Sequence, residues 1–202
     1  MAFLGFIFRR FRRFKALVLR GIYRCRGRWQ CRLCGGTVDW PRSVGAAVPV
    51  RIDGVGHVAI GERVMLGFLP AFCLASGEIL LQARERGSCI SIGTGTAISN
   101  NIGIIAMKSV VIGEGCLIGD LVSIVDCDFH GIQPATRHQS VGEIMPVIIG
   151  NNVWLGSRVT VLKGVTIGDN SVVAAGSVVT KPLPANIVAA GVPARIVRQI
   201  CG

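Results

Sequence analysis

Ile149-Gly-Asn-Asn-Val-Trp-Leu-Gly-Ser157 opens a run in which one apolar residue returns every six positions. Ile149, Leu155, Val161, Ile167, Val173 and Val179 keep that spacing without a break. Glycine follows directly at Gly150, Gly156 and Gly168, and four residues after the anchors stand Val153, Val159, Val165, Ser171 and Ser177. A period of six suits neither a helix of 3.6 residues per turn nor an alternating strand. It suits very short strands joined by tight turns and wound into a parallel β-helix, with the anchors stacked inside. Glycines and the pairs Asn151-Asn152 and Asp169-Asn170 supply the positive backbone angles of sharp corners.

Outward from this run the same spacing recurs at Ile112, Ile118 and Ile124, at Ile92, Ile98 and Ile104, and at Ile60, Leu66 and Phe72. The register slips between blocks, as from Val110 to Ile112, where short loops enter at corners. The interior is then one long column of Ile, Val and Leu. The general rule for crossovers between parallel strands favours a right-handed path. The spacing itself leaves the hand open.

Composition agrees with one folded domain. The chain has 202 residues, half of them hydrophobic and 16% charged, which excludes a disordered chain. Its 27 glycines follow no every-third pattern, so collagen is excluded, and charge is too sparse for a coiled coil. The net charge of +11 is local. Residues 1–32 carry ten basic side chains and no acid, the first acid being Asp39, and the other 170 residues carry 12 basic and 11 acidic side chains. A basic N-terminal arm, residues 1–45, therefore precedes a nearly neutral repeat body, residues 46–202. No nucleic-acid partner is expected of such a body.

The mean hydropathy of +0.56 does not come from a membrane span. The longest uncharged stretch, Gly87–Met107, is rich in Gly, Ser, Thr and Asn, and the apolar stretch Val64–Gly77 is short and holds Pro70. The basic cluster follows Phe3–Phe8 instead of preceding it, which fits a cleaved leader poorly. A cytoplasmic protein is expected. Its eight cysteines then read as free thiols. Cys31-Arg-Leu-Cys34, with Cys25 nearby, lacks a second Cys or His pair at zinc spacing, so no metal is expected. Cys73, Cys89, Cys116 and Cys127 lie among apolar repeats as small core fillers.

The quoted run, continued by Lys163-Gly-Val-Thr-Ile-Gly-Asp-Asn-Ser171, Ala175-Gly-Ser-Val-Val-Thr-Lys181 and Ala190-Gly-Val-Pro-Ala-Arg195, resembles the hexapeptide-repeat acetyltransferases. It resembles most their sugar O-acetyltransferase branch, with the galactoside and maltose enzymes and those of lipopolysaccharide and capsule assembly. The match is dense from Ile92 to Val197, weaker from Val50 to Gly87, and does not reach the first 45 residues. The resemblance implies a left-handed β-helix, three hexapeptides to each triangular coil, a homotrimer, acetyl-CoA as donor and a sugar or glycan as acceptor.

The repeat breaks once at length. Six residues after Ile124, where an apolar anchor is due, stands His130, and the next secure anchor is Ile149. A loop holding Gly131, Gln133, Pro134, Arg137, His138 and Glu143 leaves the coil there. An imidazole can take the proton of a hydroxyl nucleophile, and a neighbouring carboxylate such as Asp128 can hold its tautomer. The bland alternative is a histidine at a turn; the match to the family's catalytic histidine favours His130 as general base. His57, His130 and His138 do not have the spacing of the three zinc ligands in gamma-class carbonic anhydrases, which share this repeat.

Asn100 and Asn101 stand at a corner, where turn chemistry is the plain reading, and the resemblance implies that one of them bonds the acceptor. Arg137 and Glu143 are further loop groups for the acceptor. Gly156, Ser157, Ala175, Thr180, Lys181, Arg195 and Arg198 match family positions that contact acetyl-CoA. Small residues bare the backbone for the pantetheine arm, and the cations meet phosphates. For Trp154 packing is the plain reading. The leading function is acetyl transfer to a sugar hydroxyl in surface-polysaccharide assembly. The rivals are an amino-sugar or xenobiotic acetyltransferase and a non-catalytic scaffold.

Within the arm, Phe3, Ile7, Phe11, Phe14 and Val18 fall on one helical stripe flanked by arginines. Residues 1–23 are therefore expected to lie on an anionic membrane surface, with docking on the chain's own β-helix as the alternative.

Overall fold

The computed structural model describes residues 18, 21–68 and 77–200. Phe72 and Cys73, and all of the predicted stripe before Val18, lie outside the described residues.

Three sheets form the faces of a left-handed parallel β-helix. Among the described residues it makes six coils, each with one short strand per face. The first coil holds Thr37–Asp39, Gly45–Ala46 and Val50–Asp53, and the second His57–Ile60, Met65–Leu66 and Ile79–Ala83. The third holds Cys89–Ile92, Ala97–Ile98 and Ile102–Ala106, the fourth Ser109–Ile112, Leu117–Ile118 and Ser123–Val125. The fifth holds Val147–Ile149, Trp154–Leu155 and Thr160–Val161, the sixth Thr166–Ile167, Val172–Val173 and Val178–Val179. Ile187–Gly191 then extends the second face and pairs antiparallel with Ala194–Gln199.

The left hand departs from the general crossover rule for a physical reason. That rule follows from the right-handed twist of strands. Most strands here run two to five residues, too short to accumulate twist. Corner geometry decides the path instead.

Each sequence anchor among the described residues points inward and is buried: Ile149, Leu155, Val161, Ile167, Val173 and Val179 form a continuous column with Ile124, Ile112 and Ile92. Val153, Val159 and Val165, four residues after their anchors, close the layer beside them. Register ties equivalent positions together along successive coils, as in Ile112↔Ile149, Ile149↔Ile167 and Ile118↔Leu155. Ser171 and Ser177 are buried where valine stood before, and each donates its hydroxyl to a backbone carbonyl, Pro184 at 2.9 Å and Ala174 at 2.7 Å.

The corners divide labour more finely than the sequence indicated. Asn152, Asn170 and Asn186 do take positive φ, and their amides form a ladder, Asn152 Nδ2 donating to Asn170 Oδ1 at 2.9 Å and Asn170 Nδ2 to Asn186 Oδ1 at 3.0 Å. Gly156, directly after an anchor, is needed for a different reason. A Cβ there would stand 2.6 Å from the Ala175 amide nitrogen of the next coil. It is a place of close approach between coils.

The β-helix begins at Thr37, within the segment that charge assigns to the arm, and Trp40, Ala46 and Ile52, six residues apart and buried, are the anchors of its first coil. A helix over residues 21–33 precedes it and packs on the open edge of the first coil through Gly27 and the buried Cys31. Cys116 and Cys127 are buried as expected, whereas Cys89 is half-buried. It alternates with the inward Ile90 and Ile92 and so faces outward.

Candidate active site

The loop between Ser123–Val125 and Val147–Ile149 is built on a stem. Asp126, the first residue past the fourth coil, is fully buried and accepts the backbone N–H groups of Met107, Lys108 and Ser109, each at 2.7 Å. A carboxylate has the lone pairs for all three donors, which an apolar residue in that slot would leave unpaired. Cys127 then pairs antiparallel with Ile144. The Asp128 N–H donates to the Glu143 carbonyl at 3.2 Å, and the Glu143 N–H donates to Asp128 Oδ2 at 3.4 Å. Met145 closes the stem, its N–H donating to the Asp126 carbonyl and its own carbonyl accepting from the Gly164 N–H.

Lys163, at the corner after Thr160–Val161, clamps the two arms together. Its ammonium stands 3.0 Å from Asp128 Oδ1 and 3.3 Å from Glu143 Oε2. The hydrogen bond to Asp128, then that to Glu143, raises its pKa above the usual lysine value. Sequence reading missed this residue, which stands in the quoted repeat with no mark of function. It also missed Asp126. Two residues past the anchor Ile124, it stands where Asn151, Ser157, Lys163 and Asp169 stand in later repeats, a place where a polar residue carries no signal.

Beyond the stem, Phe129 takes a positive φ of 65° and lies under the Arg84 guanidinium, 4.8 Å from its ring centroid. This turn leaves His130 exposed at the head of the stem. Gly142 faces it at φ 72°, and a Cβ there would come 2.4 Å from the His130 carbonyl oxygen. The imidazole meets His138 edge to face, with ring centroids 6.4 Å apart. Asp128 engages Lys163 and the Glu143 amide with its two oxygens and so holds the stem two residues before His130. Arg137 is exposed and donates to the Ile132 carbonyl at 3.2 Å. His57 stands apart on the second coil, bonded to Thr37 and near Asp39. Among the described residues no group of three or more His, Cys, Asp or Glu side chains is arranged to hold a metal.

The two asparagines take different parts. Asn100 is buried, and its amide brackets one residue: it accepts the Phe68 N–H at 2.9 Å and donates to the Phe68 carbonyl at 3.3 Å. Asn101 sits at φ 58° and donates to Asp120 Oδ1 at 3.4 Å. Asp120 is a further residue that the sequence did not mark; it is buried, with its Oδ2 unpartnered among the described residues.

Along the corner between the second and third faces, Gly119, Gly156 and Ala174 stack on successive coils, followed by Ser157 and Ala175. A Cβ on Gly119 would meet the Ser157 amide at 2.6 Å, as one on Gly156 would meet that of Ala175. Ser157 is half-buried and Ala175 exposed, so this column presents backbone with little side chain over it. Thr180 and Lys181 are exposed at the next corner, and Arg195 and Arg198 on the final antiparallel strand, opposite Ala190 and Val188. Trp154 is not packed inside. It is 53% exposed and lines a shallow groove of about 300 Å³ on the outer second face with Met65, Phe68 and Leu117.

Comparison with known proteins meets this architecture. The family model described as the hexapeptide repeat of succinyl-transferase matches residues 146–181. The galactoside O-acetyltransferase of Escherichia coli is 45% identical over 114 residues, 56% of this chain and 56% of that relative. The chain thus spans little more than half the length of that curated relative. A putative lipopolysaccharide biosynthesis O-acetyl transferase of Escherichia coli is 38% identical over 160 residues, 75% of this chain and 76% of the relative. A hexapeptide-repeat acetyltransferase of Vibrio cholerae, solved in complex with acetyl coenzyme A, is 36% identical with a TM-score of 0.52, over 56% of this chain and 61% of that one. With coils built of six-residue repeats, a long loop after the fourth coil and a relative matched over three quarters of both lengths, the chain belongs to the hexapeptide-repeat acetyltransferase family.

Proposed function

We propose that the protein transfers an acetyl group from acetyl-CoA to a sugar hydroxyl, in surface-polysaccharide assembly. The observation that carries this reading is the exposed imidazole of His130, held at the head of a clamped stem on a scaffold that bares its backbone at Gly156, Ser157 and Ala175. The pantetheine arm lies along that column, and Lys181, Arg195 and Arg198 meet the phosphates, with Thr180 beside them. Acetyl-CoA supplies the activated thioester. His130 takes the acceptor hydroxyl proton as the oxygen attacks the carbonyl carbon, and backbone amides hold the oxyanion. The carbon–sulfur bond then breaks, and the thiolate receives the proton from the imidazolium. Asp128 acts through the stem. Asn101, Arg137 and Glu143 face the acceptor, while Asn100 holds the Phe68 backbone.

Cys127 is no candidate for an acyl-enzyme. It is buried, and desolvation pushes its thiol pKa above the usual value. Transfer is direct.

A homotrimer is part of this reading, supported by the apolar groove of Met65, Phe68, Leu117 and Trp154 on the outer second face. A cytoplasmic enzyme held by residues 1–23 at the inner membrane face would meet lipid-linked sugars. Among the described residues no helix is long and apolar enough to cross a membrane. The test is a screen of glycosides, nucleotide sugars and amino sugars with release of free coenzyme A as readout. Turnover confined to amines would replace the hydroxyl acceptor. No acetyl-CoA binding by titration calorimetry would replace the enzyme with a scaffold.

A further inference from the structure

The helix 21–33 has two unlike faces. One is committed to the body. Gly27 is buried against the free edge of the first coil, where a Cβ would stand 3.0 Å from the Trp40 ring and 3.3 Å from the Val50 carbonyl oxygen. Cys31, one turn on, joins the core.

The opposite face is left open by the described residues. Val18, Ile22, Cys25, Trp29 and Leu33 recur at spacings of three and four, one stripe of a helix. Val18 is 45% exposed, Ile22 52%, Trp29 64% and Leu33 65%. Arg28 and Arg32 flank the stripe on one side and Arg26 on the other, where it reaches Glu78 at 3.7 Å. The sequence holds no acid before Asp39, and the stripe continues by spacing through Phe3, Ile7, Phe11 and Phe14.

We propose that this outer face is a docking surface for anionic phospholipid, with the helix as the joint between bilayer and β-helix. An apolar stripe with arginine flanks suits the headgroup boundary: apolar side chains enter and guanidiniums meet phosphates. A second copy fits less well, because a two-fold contact would set the arginine flanks of one copy against those of the other. The inference deepens the membrane reading of residues 1–23 and moves its centre to the described helix. It does not depend on the acetyl-transfer assignment.

The test uses the full chain with vesicles of phosphatidylglycerol and phosphatidylcholine, and with phosphatidylcholine alone. The wild type is expected to co-sediment with the anionic vesicles at low salt, release at high salt, and show a blue-shifted tryptophan emission that is lost in Trp29→Phe. Combined Ile22→Glu, Trp29→Glu and Leu33→Glu is expected to weaken vesicle binding at least tenfold, with coenzyme A release on a soluble acceptor unchanged. His130→Ala is expected to bind vesicles like the wild type, so that failure of catalysis and failure of docking are told apart. Vesicle binding by the triple variant at wild-type strength would overturn the proposal. So would no binding to anionic vesicles at low salt, equal binding to phosphatidylcholine alone, or a change of the triple variant's oligomeric size with vesicle binding retained, which would make the stripe an interface between copies.

Discussion

Lys163 and Asp128 meet at 3.0 Å across the root of the His130 loop, a contact between the corner after the fifth coil and the first residues past the fourth. The chain between them is thereby closed on a scaffold that would otherwise leave the loop's two arms held by backbone pairing and the bond from the Glu143 N–H to Asp128. The second partner, Glu143 at 3.3 Å, brings the returning arm to the same cation.

Replacing this cation tests whether the clamp positions His130. Lys163→Met is expected to lower stability by only about 1 kcal/mol, because the group is partly solvated and such pairs are weak. The same variant is expected to lose several-fold in kcat with the KM for acetyl-CoA unchanged, and Lys163→Arg to restore most of it. Steady-state kinetics beside a thermal melt separates the two effects. A merely structural lysine would move the melt and leave kcat alone.

The clamp also has a defined pH window. The folded-state pKa of Lys163 is raised above the usual lysine value, chiefly by Asp128. A raised pKa gives stability that is fully present below the unfolded lysine pKa of about 10.4 and is lost as pH rises through the higher folded value. The stability difference between wild type and Lys163→Met is therefore expected to be flat from about pH 7 to 9 and to shrink only above about pH 10. Denaturant melts across that range measure it.

Asp126 bears more of the fold. Asp126→Ala leaves three backbone N–H groups at a corner without their acceptor, and a loss of about 3 kcal/mol is expected. Chemical denaturation reads it directly.

These two residues mark the limit of what the sequence disclosed. The coil was legible because Ile149, Leu155, Val161 and their successors must all point inward at a fixed period, so burial writes itself into spacing. The loop was legible as an interruption of that period, and His130 as the polar residue standing in an anchor's place. Lys163 was not, because its partners lie 20 and 35 residues away and nothing in a corner lysine announces them. Trp154 reads as a packing residue, but only its strand alternation shows that it faces outward, beside the buried Leu155. Asn100 and Asn101 look alike in sequence; only the fold sends one to the Phe68 backbone and the other to Asp120.

Thiol chemistry offers a check on direct transfer. Burial raises the pKa of Cys31, Cys116 and Cys127, while Cys25 is exposed. At neutral pH the native protein is expected to label at Cys25 well before Cys116 and Cys127, which label only on unfolding. Cys127→Ala is expected to keep acetyl transfer. Peptide mapping after timed alkylation, with one activity assay, decides both points.

The most direct measurement of the central claim is acetyl transfer by His130→Ala. The side chain is exposed and forms no part of the core, so the variant is expected to melt with the wild type and to bind acetyl-CoA unchanged. If His130 is the general base, its removal is expected to lower kcat by about 10²–10⁴-fold. A folded variant that still releases coenzyme A at close to the wild-type rate, in the presence of acceptor, would contradict the account.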